Sequence, residues 1–333
     1  MAPIKIIKGG KPSNKKENGQ KSELEGSTSA FPPGTEATNA PAPFIDKIAV
    51  VLTPKSAELA HQIHSALYQA LTNDTEFFQS VGKPAKGFNR AKLIVLPHYD
   101  ERPRIDYAFQ HNLADRIRLE FNPSKLGADG IAELHGILGS VIPNGWGRFA
   151  KEAKITRLDI AVDILGLRMS KLQLVPKKGS TVKTWSQDGK LQTYQWGKPK
   201  GSHIQIYNKS AQQQSKGKAS AGPPVTRFER RFKPPPCKSL LELAAMENPF
   251  AGIVLTTTMP APPSEGPAYV WLLFCDSVAV RGLDLALKIL PKAKRKAYRD
   301  QFKAAAPDWW NPEAIWSHWP TALAKLKIAS TKW

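Results

Sequence analysis

Three short segments carry residue types that can work on a phosphodiester. In Ile155–Ile164, strand alternation puts Leu158, Ile160, Val162 and Ile164 on one side. Arg157, Asp159, Ala161 and Asp163 fall on the other. Two carboxylates with one alanine between them repel each other, and a hard divalent cation, Mg²⁺ or Mn²⁺, suits such oxygen ligands. The competing reading is an ordinary charged strand facing solvent. In Ser202–Lys209, the residues His203, Gln205, Tyr207 and Lys209 oppose Ile204 and Ile206. A phenol titrates near pH ~10 when unperturbed, and a nearby cation or metal makes its phenolate accessible as a nucleophile. The bland alternative is an amphipathic strand tyrosine. In Val225–Phe232, Arg227, Glu229 and Arg231 oppose Phe228 and Phe232. Arginine forks match phosphate oxygens, although a salt-bridged surface strand has the same pattern.

Together the three segments contain the parts for in-line displacement at phosphorus. Asp159, Asp163 and Glu229 are the candidate metal ligands. Tyr207 is the candidate nucleophile, with Lys209 and His203 beside it. Arg157, Arg227 and Arg231 are the candidate phosphate contacts. Attack by the phenol would keep the 5′ end on the protein and free a 3′ hydroxyl. Tyr194 offers a second phenol, read here as structural.

These segments must be positioned by a larger plan. Strands are expected at Ile48–Leu52, Ala91–Leu96, Arg104–Phe109 and Arg116–Phe121, with helices at Ser56–Leu71 and Asp129–Val141. A second block repeats the grammar. Strands are expected at Ile155–Leu165, Val182–Ser186, Leu191–Trp196, Ser202–Lys209 and Val225–Phe232, with short helices at Ser170–Val175 and Lys238–Met246. The fold class is therefore α+β, with two similar sheet/helix halves, 45–154 and 155–246, in one catalytic domain. Residues 247–333 read as a helical C-terminal region, with helical patterns at Leu283–Leu290, Lys292–Lys303 and Pro320–Leu326. Residues 1–44 read as a disordered basic tail.

The chain has 333 residues, with 48 Lys and Arg against 28 Asp and Glu, a net charge of +20. That imbalance points to nucleic acid as partner. No apolar run is long enough to span a bilayer and no basic amphipathic helix is evident, so no membrane partner is expected. Cys237 and Cys275 lack metal-ligand spacing and exclude a disulfide framework. The N-terminus lacks a secretory pattern, so a cytoplasmic location is expected. Lys292, Lys294, Arg295, Lys296 and Arg299 form a basic cluster able to grip backbone phosphates. Trp309, Trp310, Trp316 and Trp319 read as packing anchors rather than stacking platforms.

The ordered set Ile155-Thr-Arg-Leu-Asp159-Ile-Ala-Val-Asp163, Thr193-Tyr-Gln-Trp-Gly197, Ile206-Tyr207-Asn-Lys209 and Thr226-Arg-Phe-Glu229-Arg resembles the replication initiation factors of rolling-circle plasmids and filamentous phages. The resemblance spans roughly residues 45 to 330. It implies Tyr207 as the nucleophile and Asp159, Asp163 and Glu229 as ligands of Mg²⁺ or Mn²⁺. It also implies origin DNA as partner, in double- and single-stranded form, a host helicase, and the cytoplasm of a bacterial host cell. Two departures stand out. Gln195 replaces an aromatic residue common in the family, and Ser210–Gly222 lacks an acid often found there. The alternatives are a conjugative relaxase with the same chemistry, a non-catalytic basic origin-binding protein, and an RNA binder stacking bases on Tyr194, Trp196 and Tyr207.

Overall fold

The computed structural model describes residues 40–72, 75–110, 113–175, 182–187, 190–197, 201–217, 222–263 and 266–332. Most of the expected tail, residues 1–39, lies outside them. The first half runs β1 (Phe44–Leu52), α1 (Ala57–Thr72), β2 (Phe78–Ser80), β3 (Arg90–Ile94), β4 (Arg104–Gln110), β5 (Leu113–Phe121), α2 (Pro123–Gly139) and α3 (Gly145–Glu152). The second runs β6 (Lys154–Leu165), a 3₁₀ turn (Met169–Lys171), β7 (Gln173–Val175), β8 (Val182–Gln187), β9 (Lys190–Gly197), β10 (His203–Asn208), α4 (Lys209–Gln214), β11 (Val225–Phe232) and a second 3₁₀ turn (Leu240–Ala245). Then come β12 (Val254–Thr256), α5 (Ala268–Arg281), α6 (Leu283–Ile289), α7 (Arg295–Ala304), α8 (Pro312–Trp316) and α9 (Trp319–Leu326).

Local chemistry explains the main elements. α1 buries Ala60, Ile63, Leu67 and Leu71, one helical stripe. α2 opens with a turn at Pro123, where the Asn122 side chain accepts from the Lys125 amide; it breaks at Gly127 (φ 64°) and continues as the helix expected from Asp129. The expected helix at Ser170–Val175 is instead a 3₁₀ turn followed by β7, which pairs with β12. The expected helix at Lys238–Met246 is a 3₁₀ turn.

Ten strands form one sheet in the order β2-β3-β4-β5-β1-β6-β11-β10-β9-β8, every neighbouring pair antiparallel. Each half contributes five strands, with its first strand at the central seam and its last strand next to it. The seam is self-complementary. Ile48 faces Leu158, Lys47 faces Asp159, Ala49 faces Arg157, Ile45 faces Ile160 and Val50 faces Ile155. Adding 110 to any β1 residue number gives its symmetry mate on β6. Even the irregularities match: the register skips Asp46 on β1 and Thr156 on β6, two extra residues placed as β-bulges.

The apolar side of the sheet is covered by helices and the C-terminal segment. Trp146 stacks on Phe149, meets Phe121 edge-on, and donates its indole N–H to the Ile328 carbonyl. Trp310 stacks on Phe228 with ring centres 4.4 Å apart. The indoles of Trp310, Trp316 and Trp319 donate to the carbonyls of Ile253, Met246 and Leu243. These side chains are packing anchors. α5, α6 and α7 build a separate apolar cluster, with Trp271, Phe274, Val278, Leu283, Leu287, Tyr298 and Phe302 at its centre.

Candidate nucleic-acid interface and active site

Three neighbouring strands set out the polar side of the second half as a grid. β11 lies between β6 and β10, with Arg227 facing Asp163 and Tyr207, Glu229 facing Ala161 and Gln205, and Arg231 facing Asp159 and His203. The phenol of Tyr207, the three acids and the three arginines therefore share one side of the sheet. Tyr207 is buried, and its hydroxyl donates to Glu229 Oε2 at 3.2 Å.

Each acid also meets guanidinium. Asp159, 1% exposed, accepts from Arg157 at 2.5 Å and from Arg231 at 3.1 Å. Glu229 accepts from Arg231 at 3.1 Å. Asp163 takes both oxygens to Arg227, at 2.6 and 2.7 Å. Arg227 also donates to Asp46 at 2.5 Å and lies over the Phe44 ring. Asp46 is the bulged residue of β1, and the bulge turns it onto this side. It belongs to the site although its motif gave no sign of it beyond an acid inside an apolar strand.

Burial, then the charges of Asp46 and Asp159, raise the Glu229 pKa above the usual carboxylate range. Burial, then the charge of Glu229, raise the Tyr207 phenol well above its ordinary value. Burial and the neighbouring Arg227 lower the Lys209 ammonium. Burial opposes the charge on Arg227, but the hydrogen bond and charge of Asp163 outweigh it and hold that guanidinium firmly protonated. Lys209 is not on the strand; it opens α4, with the Asn208 side chain capping that turn, and its Nζ lies 5.8 Å from the centre of the Tyr207 ring.

The site opens into a cleft of about 280 Å³. Tyr207, Lys209, Glu229, Arg231, Arg157 and Asp159 line it, and Lys47, Lys125 and Lys216 add positive charge at its walls. The other candidates fall elsewhere. His203 is buried, with Nδ1 3.0 Å from the Gly201 carbonyl, and is not part of the cleft lining. Lys292, Lys294, Arg295, Lys296 and Arg299 sit on α7 and the turn before it, also outside the lining. Arg295 there caps the Leu290 and Lys288 carbonyls. Tyr194 lies on the apolar side, with its hydroxyl 3.3 Å from the Leu172 carbonyl.

Asp159, Asp163 and Glu229 do not fit a shared divalent ion as they stand. Asp159 and Asp163 are four residues apart on one strand, which separates their Cα atoms by ~13 Å. Arg227 and Arg231 reach in from β11 and already neutralise them. Among the described residues no group of three or more His, Cys, Asp or Glu is arranged to hold a metal.

No protein-family model matches the chain, and no curated protein does. The chain is similar to a solved rolling circle replication initiator protein from Geobacillus stearothermophilus. The identity is 14%, the TM-score 0.36, and the match covers 72% of this chain and 96% of that one. A likeness of that TM-score carries no weight for function. Among the described residues no helix is long and apolar enough to cross a membrane.

Proposed function

We propose that the chain is a rolling-circle replication initiator that cuts one DNA strand at an origin with Tyr207 as nucleophile. The observation that carries this reading is the Tyr207 hydroxyl donating to Glu229 at the floor of a cleft lined by Arg157, Arg231 and Lys209. The Tyr207 oxygen attacks phosphorus while the P–O3′ bond breaks. Glu229, made more basic by burial and its acidic neighbours, takes the phenol proton. Arg231 and Arg157 balance charge on the phosphate oxygens. Lys209, a better proton donor for its lowered pKa, protonates the departing 3′ oxygen. The products are a 5′-phosphotyrosine and a free 3′ hydroxyl.

The proposal is tested by incubating the protein with a supercoiled replicon that carries its own origin, with Mg²⁺ or Mn²⁺ and with chelator. The expected product is an open circle with protein on the 5′ end, and Tyr207→Phe binds without cutting. Cutting by Tyr207→Phe at the wild-type rate would exclude the phenol as nucleophile. A non-catalytic DNA-binding role is the second reading. It is favoured by the burial of Tyr207 and the pairing of every acid with arginine. That reading expects no covalent adduct from the wild type.

A further inference from the structure

Arg230 stands on the wrong side of the sheet for a charged residue. Alternation along β11 sends Arg227, Glu229 and Arg231 to the polar side, and Arg230 with Phe228 to the apolar one. Its row there runs Ile160, Arg230, Ile204 and Trp196. The corresponding position in the first half, opposite Val50 on β5, is Leu119, which is fully buried.

Among the described residues no carboxylate forms an ion pair with Arg230. Burial is the only influence on the Arg230 pKa, and it lowers it. Its Nε is buried without a hydrogen-bond partner, and its guanidinium packs 5.1 Å from the Phe232 ring centre. A buried, unpaired guanidinium nitrogen costs stability unless something supplies an acceptor.

The side chain borders two adjoining clefts, of about 260 and 630 Å³. Among the described residues the smaller contains no acid: Trp196, Ser202, Gly252 and Ile253 line it with Arg230. The larger adds the apolar surfaces of Phe232, Met246 and Pro249 and carries the acids Glu242 and Glu247, so a phosphate is placed in the smaller. Both volumes are close to those of small-ligand sites, roughly 300–1,000 Å³.

We propose that these clefts form a nucleotide site, with the phosphate on Arg230 in the acid-free cleft and the base against the apolar walls. The nucleotide is either free or one unit of a single strand. An anionic phosphate in the cleft offsets the guanidinium charge of Arg230, and a flat base suits walls of phenyl and thioether, with the Trp196 indole beside the phosphate. The site lies on the reverse of the sheet from Tyr207, so it stands or falls independently of strand cutting.

The test is a calorimetric titration of the full chain with deoxyadenosine monophosphate, deoxyadenosine and a dT tetramer. The monophosphate is expected to bind at least tenfold tighter than the nucleoside. Arg230→Leu is expected to weaken it at least tenfold while unfolding at or above the wild-type temperature, because leucine already serves at position 119. Arg230→Gln, which keeps polarity without charge, is expected to lose the same binding and covers the case of a misfolded leucine variant. Displacement of the monophosphate by the tetramer assigns the site to a strand, and failure to displace assigns it to free nucleotide. The proposal is overturned if the monophosphate does not bind at millimolar concentration, binds no better than the nucleoside, or binds both variants as it binds the wild type.

Discussion

The two halves of the sheet place different side chains on the same lattice. Carried across the seam by the matched registers, Arg118 corresponds to Glu229, Glu120 to Arg231, Asp106 to Gln205 and Ala108 to Tyr207. In the first half Asp106 is 0% exposed and accepts from Arg104, Arg118 and the Ala85 amide. Arg118 passes on to Glu120, which also lies 3.7 Å from Lys47 and from Arg157 at the cleft. In the second half the signs at two positions are reversed, a phenol stands where the first half has alanine, and a cleft lies over the result. A common backbone thus supports an ion network around a fully buried acid on one side of the seam and a phenol beside an open cleft on the other. Strand order sets where groups meet; side-chain identity decides whether they do chemistry.

The largest expected effect separating the halves is Tyr207→Phe, which removes covalent cleavage altogether while gel-shift binding persists. Glu229→Gln comes next, slowing single-turnover cleavage by about 10²- to 10⁴-fold, the usual worth of a positioned base. The wild-type rate should fall on the acid side as Glu229 protonates, at a pH above the ordinary carboxylate range because its pKa is raised. That limb should vanish in the glutamine variant. In the first half, Asp106→Ala removes the buried acceptor shared by Arg104 and Arg118 and should cost about 3 kcal/mol by urea unfolding. Cleavage per folded molecule should not change, and a lost activity there would break the division of labour. The smallest effect is alkaline. The Tyr207 phenol is raised in the folded state, so its contribution is complete below the unfolded value and is lost as pH rises past ~10 toward the folded one. Unfolding curves at mildly and strongly alkaline pH should therefore diverge less for Tyr207→Phe than for wild type.

Much of this was legible from alternation alone. β6, β10 and β11 each sort their side chains by a period of two, so the shared side of Tyr207, Glu229, Asp159 and Arg231 followed once the strands lay together. Register was not legible. Only the ladder shows that Arg227 faces Asp163 and Arg231 faces Asp159, which turns an expected metal set into arginine pairs. Asp46 escaped notice because a bulge, not a period, brings it into the site. α5 also escaped. Trp271, Phe274 and Val278 are buried, but Leu272, Leu273 and Val280 are exposed, so its apolar residues ring the helix and leave no contrasting stripe to read. His203 fits the alternation of β10, yet its ring is committed to the Gly201 carbonyl.

The matched bulges at Asp46 and Thr156 carry one more consequence. Strands that pair under an exact twofold rule would join just as well if they belonged to separate molecules. Covalent fusion through the segment between α3 and β6 makes that marriage permanent and one-to-one. Once united, the two halves need not be alike: one carries the Asp106 ion network, the other the buried Tyr207 phenol, its neighbouring acids and the cleft.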